Sequence, residues 1–333
     1  MDGVIVRRFC ATAVLAVLLA VTSAASPAAA RLAVTGFQVA GDPAWLIDRS
    51  AAAMTTVGVA GDALAPGGGG VLDAGGPALA ELAQAHADRL RAELLVNNFS
   101  DRIGNFSEPL AHRLLSSRVK IDRVTGQLGA IVRSEGWDGI CVDLESLTPR
   151  DSQGLTRFLV ALRQALPRAA SLSIAISNGT STGDFAANGY DLEAIGRVVS
   201  RAILMAYDEH GPWEKTPGPV GELSWQRIGL NVVLGFIPAS KVDLGVAGYG
   251  YGWRRHSTVM LSDAEARSLV QADRATAVWD SMAGEWTARL HDGSVLWWSD
   301  ARSYTLRVAL ARAYGLHGLA VWSLGLSDPL AIS

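Results

Sequence analysis

The sequence lacks the features that identify several common classes of protein. With two cysteines in 333 residues, a framework of disulfides is excluded. The formal net charge is only −3 and no Lys- or Arg-rich run is present, so we expect no binding to nucleic acid. The six histidines do not fall at metal-ligand spacing, and we expect no metal site. A G-x-S-x-G elbow and a G-x-G-x-x-G after the first strand are also missing, which argues against serine hydrolysis and dinucleotide binding.

The first thirty residues differ from the rest of the chain. Two arginines precede an apolar run over residues 11–21, and a stretch of small residues ends at Ala30. This order is typical of a secretory signal peptide, and the run is shorter than the roughly 20 residues that a membrane-spanning helix needs. An uncleaved anchor and a lipoprotein attached through Cys10 are the alternatives. We predict cleavage of residues 1–30 and a secreted or cell-envelope protein, residues 31–333, without a membrane span.

Short apolar runs of β-strand type alternate with amphipathic stretches after the leader. Nearly continuous apolar runs are typical of strands buried on both faces, and their alternation with helical patterns predicts a parallel sheet. The runs lie at residues 33–39, 54–60, 92–97, 139–145, 171–177, 202–207, 242–248 and 318–323. Eight such units favour an α/β fold of the (β/α)8 TIM-barrel type over an open sheet or two small domains, since one barrel takes about 250 residues.

The stretch after the seventh strand is too long for a simple loop. Between about residues 254 and 300 it contains one helical pattern and three strand-like segments, at residues 263–271, 277–279, 286–290 and 295–298. The Asp292-Gly293 pair is a hairpin turn signal. We predict a small α+β insertion between strand seven and the last helix, at one rim of the barrel.

The fourth strand carries the acidic residues of greatest chemical interest. Residues 138–145 read D-G-I-C-V-D-L-E, and the alternation of a strand places Asp143 and Glu145 on one face, at the carboxyl end where barrel enzymes have their sites. That face must be the lumen, because two carboxylates on the helix side would be very costly to bury. Their mutual repulsion raises one pKa, as general-acid catalysis requires. The structural alternative is a buried acidic pair neutralised by Arg150 or Arg201.

Polar and aromatic residues follow other strands. Strand six ends in M-A-Y-D-E-H over residues 205–210, which suits substrate contact, although Asp208 could equally serve to turn the chain out of the strand. Tryptophans occur after strands six and seven, in the insertion and in strand eight, at Trp213, Trp253, Trp297, Trp298 and Trp322. Indole faces stack on sugar rings, so this distribution indicates a glycan cleft, with ordinary core packing as the alternative.

Taken together, these motifs resemble glycoside hydrolase family 18, the family of chitinases and endo-β-N-acetylglucosaminidases. Residues 138–145 look like its D-G-x-x-x-D-x-E signature, and residues 205–208 look like its M-x-Y-D strand. Residues 248–253 are similar to the G-x-x-x-Y-G-Y-x-W end of its seventh strand, and residues 318–325 to its last strand, which ends in tryptophan. The segments 97–100 and 207–219 look most like the bacterial branch that includes spore-cortex-lytic hydrolases.

The resemblance implies a substrate-assisted mechanism that retains the anomeric configuration. In it Glu145 protonates the glycosidic oxygen, and the sugar's own 2-acetamido oxygen attacks the anomeric carbon. Asp143 orients the acetamido N–H, and Tyr207 donates a hydrogen bond to the acetamido oxygen. No metal or organic cofactor is implied. The resemblance thus assigns catalysis to Glu145, Asp143 and Tyr207, and contact with the polysaccharide to Asp138, Cys141, Asp208, Trp213, Tyr249, Trp253 and Trp322.

Cys141 departs from the family pattern, because many chitinases have a third aspartate at this position. A thiol whose pKa is raised by burial cannot share charge with Asp143 as a carboxylate would. We expect a monomeric glycosidase that cleaves β-1,4-linked N-acetylglucosamine polymers, with chitin, peptidoglycan and N-glycan cores as competing substrates. The alternatives are a secreted glycan-binding protein of the same fold that has lost turnover, and a barrel enzyme of another sugar family.

Overall fold

A computed structural model describes Met1, residues 31–255 and residues 257–332 of the chain. The predicted signal peptide therefore lies outside the described residues, apart from Met1. None of the helices among the described residues is both long and apolar enough to cross a membrane. All elements discussed below belong to one compact unit, Leu32–Ser333.

The strands and helices alternate along most of this unit. The strands are β1 Ala33–Val39, β2 Thr56–Leu64, β3 Val71–Leu72, β4 Arg91–Asn97, β5 Phe99–Ser100, β6 Asn105–Phe106, β7 Gly139–Asp143, β8 Ser171–Ser177, β9 Arg201–Met205, β10 Val242–Ala247, β11 Gly250–Trp253, β12 Thr258–Leu261, β13 Ala277–Asp280, β14 Glu285–Arg289, β15 Val295–Trp298 and β16 Gly318–Trp322. The helices are α1 Trp45–Asp48, α2 Gly76–Ala87, α3 Glu108–Leu115, α4 Arg118–Ile131, α5 Ser152–Ala165, α6 Thr182–Ala187, α7 Leu192–Val198, α8 Leu223–Leu234, α9 Asp263–Asp273 and α10 Ala301–Ala313.

Eight parallel strands close into a barrel. Their spatial order is β1-β2-β4-β7-β8-β9-β10-β16, and β16 pairs again with β1, so that no barrel strand is left at an edge. Each of these strands coincides with a predicted apolar run. The (β/α)8 fold class is therefore confirmed, with differences of a few residues at strand ends.

The alternation along β7 sorts its side chains between two layers. Ile140 and Val142 are fully buried in the main core between the strands and the surrounding helices. Cys141 points the other way and packs with apolar residues from other strands, Phe37, Leu95, Ile203 and Ala320. Asp143 follows it on the lumen side, two residues nearer the carboxyl end. The predicted orientation of the acidic residues is thus the observed one.

A buried ionic cluster occupies the opposite end of the barrel. Arg201 forms an ion pair with Glu93, and its Nε lies 3.6 Å from an Asp243 oxygen; all three side chains are 10% exposed or less. Arg150 is instead paired with Glu108 at the surface. Arg150 and Arg201 are therefore both paired with other residues. The alternative that one of them neutralises Asp143 and Glu145 is excluded.

The segment between β10 and α10 forms the α+β insertion. Its antiparallel sheet has the order β12-β11-β15-β14-β13, and one face packs against α9. The sheet begins at Gly250, before the predicted start near residue 254, because β11 leaves the barrel and pairs with β15. A side chain at Gly250 would lie 2.3 Å from the Trp297 carbonyl oxygen, so this close strand pairing requires glycine.

Candidate active site

Glu145 lies just beyond β7, at the carboxyl end of the barrel. The buried Asn98 side chain holds it there: Asn98 Oδ1 accepts the Glu145 N–H at 2.9 Å, and Asn98 Nδ2 donates to the Glu145 carbonyl at 2.9 Å. Ser146 follows with a φ of 57°, a left-handed conformation that turns the chain away from the strand direction. The Glu145 side chain is half-buried and faces an open cleft.

Tyr207 and Asp208 follow β9 and enter the same cleft. Asp208 has a φ of 62°, which is uncommon for a residue other than glycine and is typical of functional loops. Its Oδ1 accepts hydrogen bonds from the hydroxyls of Tyr249 at 2.5 Å and Tyr251 at 2.8 Å. These two bonds fix the direction of the carboxylate.

Burial shapes the acidity of this cluster. Burial raises the pKa of Glu145 well above its usual value, and the nearby charges of Asp143 and Asp208 raise it further. Burial also raises the pKa of Asp143. Asp208 is open to the cleft on one side, but burial against the protein on its other sides raises its pKa. The hydrogen bonds from the two tyrosine hydroxyls lower this pKa and so act in the opposite direction. The site is therefore built to hold a proton at neutral pH.

Tyr207 is held in its protonated form. Burial, followed by the charges of Asp143 and Asp208, raises the pKa of the Tyr207 phenol well above its usual value. A protonated phenol next to carboxylates can donate a hydrogen bond to a ligand in the cleft.

The cleft consists of two neighbouring cavities, here called its two arms, which share Phe106 as a lining residue. The first arm has a volume of about 380 Å³ and includes Phe106, Glu145, Asn178, Tyr207, Asp208 and Trp213 among its lining residues. The second arm has a volume of about 790 Å³ and includes Asn97, Arg102, Phe106, Arg113, Asp143 and Trp322. The structure thus brings together six of the predicted site residues, Glu145, Asp143, Tyr207, Asp208, Trp213 and Trp322.

Four of the residues predicted to contact the polysaccharide lie away from the cleft. Asp138 precedes β7 at the amino end of the barrel, where its Oδ2 accepts the Ala92 N–H at 2.9 Å and lies 3.0 Å from His86 Nε2. This position corrects the prediction, because strand β7 separates Asp138 from Glu145. The motif residues at the two ends of β7 therefore have different roles.

Burial corrects the same prediction for Cys141, Tyr249 and Trp253, because their side chains have too little exposed surface to contact a polysaccharide. The Cys141 side chain is 0% exposed, and burial raises the pKa of its thiol, so it stays neutral beneath Asp143. Tyr249 is 1% exposed and acts on Asp208. Trp253 is 5% exposed and packs edge-to-face on Tyr251. These three residues are buried next to the cleft and pack against or bind the residues that line it.

Several residues of the site were missed in the sequence analysis. Asn98 had a weak signal as part of the Asn97-Asn98 pair directly after a predicted strand, and Tyr251 had one in the Gly-Tyr alternation of β11. Phe106 lies on β6, whose two-residue pairing with β5 leaves no periodic pattern in the sequence. No signal in the sequence identified Arg102 and Arg113, because only the folded chain brings them to the cleft.

A possible metal-ligand set lies outside the cleft. Ligand atoms of Glu108, His112 and Asp151 lie within 4.8 Å of one another. Each already has a partner: Glu108 is paired with Arg150, and Asp151 accepts from His112 at 2.6 Å and from Thr148. These bonds explain why the three residues lie close together: they hold the turn that precedes α5.

The fold and the cleft together define a class of protein. A closed (β/α)8 barrel, with a carboxyl group of raised pKa beside a second carboxyl group and tryptophans around an open cleft, is the arrangement of a glycosidase. Residues 97–327 match the sequence family described as "Glycosyl hydrolases family 18". The chain belongs to this family.

Similar proteins agree with this assignment. The chain is 27% identical over 255 residues to the "Uncharacterized glycosylase YvbX" of Bacillus subtilis (strain 168), covering 74% of each chain. It is 27% identical over 252 residues to the "Cortical fragment-lytic enzyme" of the same organism, covering 71% of this chain and 57% of that protein. The crystal structure of a chitinase from Chromobacterium violaceum ATCC 12472 superimposes with a TM-score of 0.79 at 26% identity, covering 89% of this chain and 95% of that one.

Proposed function

We propose that this protein hydrolyses polymers that contain β-1,4-linked N-acetylglucosamine, such as chitin or peptidoglycan, by substrate-assisted, retaining catalysis. The observation that carries the proposal is the position of Glu145, which faces the cleft with a raised pKa beside the buried Asp143. Such a carboxyl group keeps its proton near neutral pH and can deliver it to a glycosidic oxygen. As that oxygen takes the proton of Glu145, its bond to the anomeric carbon breaks.

Asp143 supports a nucleophile that comes from the substrate. Its Oδ1 is buried and accepts no hydrogen bond from any described residue. An acetamido N–H of the sugar supplies the donor that this oxygen needs, and the acetamido oxygen then attacks the anomeric carbon to form an oxazolinium ion. Tyr207 donates to the acetamido oxygen, and Asp143 offsets the positive charge. Water opens the ring with Glu145 as general base, so the configuration is retained.

The second arm of the cleft favours a substrate that carries negative charge. Arg102 and Arg113 are exposed there, and neither forms an ion pair with any described residue. Among the described residues that line this arm, the acidic ones are Asp101 and Asp143. Chitin is uncharged, whereas peptidoglycan carries carboxylates on its peptides, or on the lactyl groups that bear no peptide, and arginine binds carboxylates well. We therefore propose peptidoglycan ahead of chitin and N-glycan cores.

A glycan-binding protein without turnover is the second candidate. Cys141 is the feature that favours it, since the neutral thiol supplies no charge below Asp143. Glu145, Asp143 and Tyr207 nevertheless share one cleft, so the groups that the reaction needs are present. The two candidates differ in whether the bound polymer is cleaved.

The leader supports export of the protein, and we propose that it directs secretion. Its charged start, short apolar run and final small residues are those of a cleaved signal peptide. Mass spectrometry of the exported protein should then find Arg31 at the N-terminus. An N-terminus at Met1, or at a lipid-modified Cys10, would contradict cleavage after Ala30.

Replacing Glu145 with Gln tests the proposed general acid. We expect Glu145→Gln to lower kcat by about 10²- to 10⁴-fold, because the amide cannot deliver a proton. The measurement is mass spectrometry of products from peptidoglycan and from chitooligosaccharides. Glu193→Gln, an exposed change on α7, is the control and should leave the rate unchanged. Binding without cleavage by the unaltered protein would favour the glycan-binding candidate, and equal rates for both variants would remove Glu145 from its role.

The pH dependence of kcat/KM tests the electrostatic environment of Glu145. Only the protonated form acts as the acid, so activity should fall as the pH rises through the pKa of Glu145, which is above the usual range. The negative charge of Asp208 contributes to this increase. Asp208→Asn should therefore move the alkaline limb of the profile to lower pH. An unchanged alkaline limb would show that Asp208 does not act on the titrating group.

A further inference from the structure

We infer that the buried pair of Glu285 and Arg307 positions the catalytic Tyr207 and its neighbour Asp208. The inference rests on the proposed function and adds to it a role for the insertion. Neither residue of the pair lines either arm of the cleft, and each is only 1% exposed. They act on the segment that joins β9 to α8, residues 206–222, here called the β9–α8 loop.

Glu285 binds two consecutive amides of the β9–α8 loop. Its Oε2 accepts the Val220 N–H at 2.7 Å, and its Oε1 accepts the Gly221 N–H at 3.0 Å. A carboxylate has two acceptor oxygens and no donor, so it suits two adjacent N–H groups better than an amide side chain does. The loop is thereby attached to strand β14 of the insertion.

Arg307 holds the same part of the loop from α10. Its Nη2 donates to the Gly221 carbonyl at 2.5 Å and to Glu285 Oε1 at 3.3 Å, and its Nη1 donates to the Gly284 carbonyl at 2.5 Å. Gly221 is therefore fixed at both its N–H and its C=O. A guanidinium with several carbonyl acceptors and one carboxylate can remain buried, whereas an unpaired one is strongly destabilising.

Gly221 in turn packs directly on the backbone of the catalytic residues. A side-chain carbon at Gly221 would lie 2.6 Å from the Ala206 carbonyl oxygen and 3.3 Å from Tyr207 Cα. The Ala206 carbonyl also accepts from Gln226 Nε2 at 2.7 Å. Because no space separates Gly221 from this backbone, a shift of Gly221 must move Tyr207 or open a gap beside it.

The two ends of the β9–α8 loop are also joined to each other. The Glu209 N–H donates to the Val220 carbonyl at 2.9 Å, and the Glu222 N–H donates to the Glu209 carboxylate at 2.7 Å. Asp208, in its left-handed conformation, lies directly before this closure. Anchoring Val220 and Gly221 therefore restrains the backbone on which Tyr207 and Asp208 are carried.

The test is a comparison of Glu285→Gln with Asp263→Asn. Asp263 is a matched control, because it is a buried carboxylate of the insertion that accepts the Asp328 N–H at 3.0 Å and binds no part of the β9–α8 loop. We expect Glu285→Gln to lower kcat on a short N-acetylated oligosaccharide by about 10- to 100-fold, since small displacements of reacting groups have effects of this size. KM should change much less, because the groups that bind the polymer remain.

Backbone hydrogen exchange supplies a readout that does not depend on turnover. The amides of residues 206–222 should exchange faster in Glu285→Gln and at the unaltered rate in Asp263→Asn. Unchanged exchange in Glu285→Gln would overturn the inference. If the unaltered protein cleaved no substrate, the proposed function would fail, and the exchange result would still decide whether Glu285 anchors the loop.

A double variant separates positioning from stability. Glu285→Leu combined with Arg307→Leu removes both buried charges, and such replacements often preserve or increase stability. We expect Glu285→Gln to lower Tm, because it leaves Arg307 without its carboxylate, and the double variant to have a higher Tm than Glu285→Gln. In the double variant the amides of Val220 and Gly221 still lack their acceptors, so kcat should stay low. If kcat recovered together with Tm, or if Asp263→Asn lowered kcat as much, the pair would have a structural role alone and the inference would be overturned.

Discussion

The central constraint of this molecule is a pair of carboxyl groups, Asp143 and Glu145, placed at the carboxyl end of the barrel lumen, where neither Arg150 nor Arg201 pairs with them. The buried Arg201 is held at the other end by Glu93 and Asp243. Between the two ends lies an apolar layer that contains the neutral Cys141. The lumen therefore separates an ionic cluster whose members pair with one another from acidic groups whose raised pKa values suit proton transfer.

The elements around the cleft maintain this arrangement. Asn98 fixes the backbone of Glu145, and the hydroxyls of Tyr249 and Tyr251 fix Asp208. The insertion contributes Tyr251 from β11 and Glu285 from β14, so it forms part of the support of the site as well as a rim of the barrel. In this account the reacting groups lie at strand ends, and the residues that orient them come from distant parts of the chain.

The sequence predicted what depends on local pattern. Apolar runs located all eight barrel strands, and the period of two residues placed Asp143 and Glu145 in the lumen. The resemblance misled for Asp138, because this residue directly precedes the predicted strand and so lies at its amino end, where it binds the Ala92 N–H. The bonds of Glu285 to Val220 and Gly221 could not be predicted, since they join residues more than sixty positions apart and follow no periodicity.

The central claim is that the substrate's own acetamido group is the nucleophile and that Asp143 orients it while Glu145 supplies the proton. The most direct measurement compares the cleavage rate of an N-acetylglucosamine oligosaccharide with that of the same oligosaccharide after complete deacetylation. The account predicts that the unaltered protein cleaves the acetylated chain and leaves the deacetylated chain intact. Cleavage of both chains at equal rates would contradict it, because no nucleophile would then be required from the substrate.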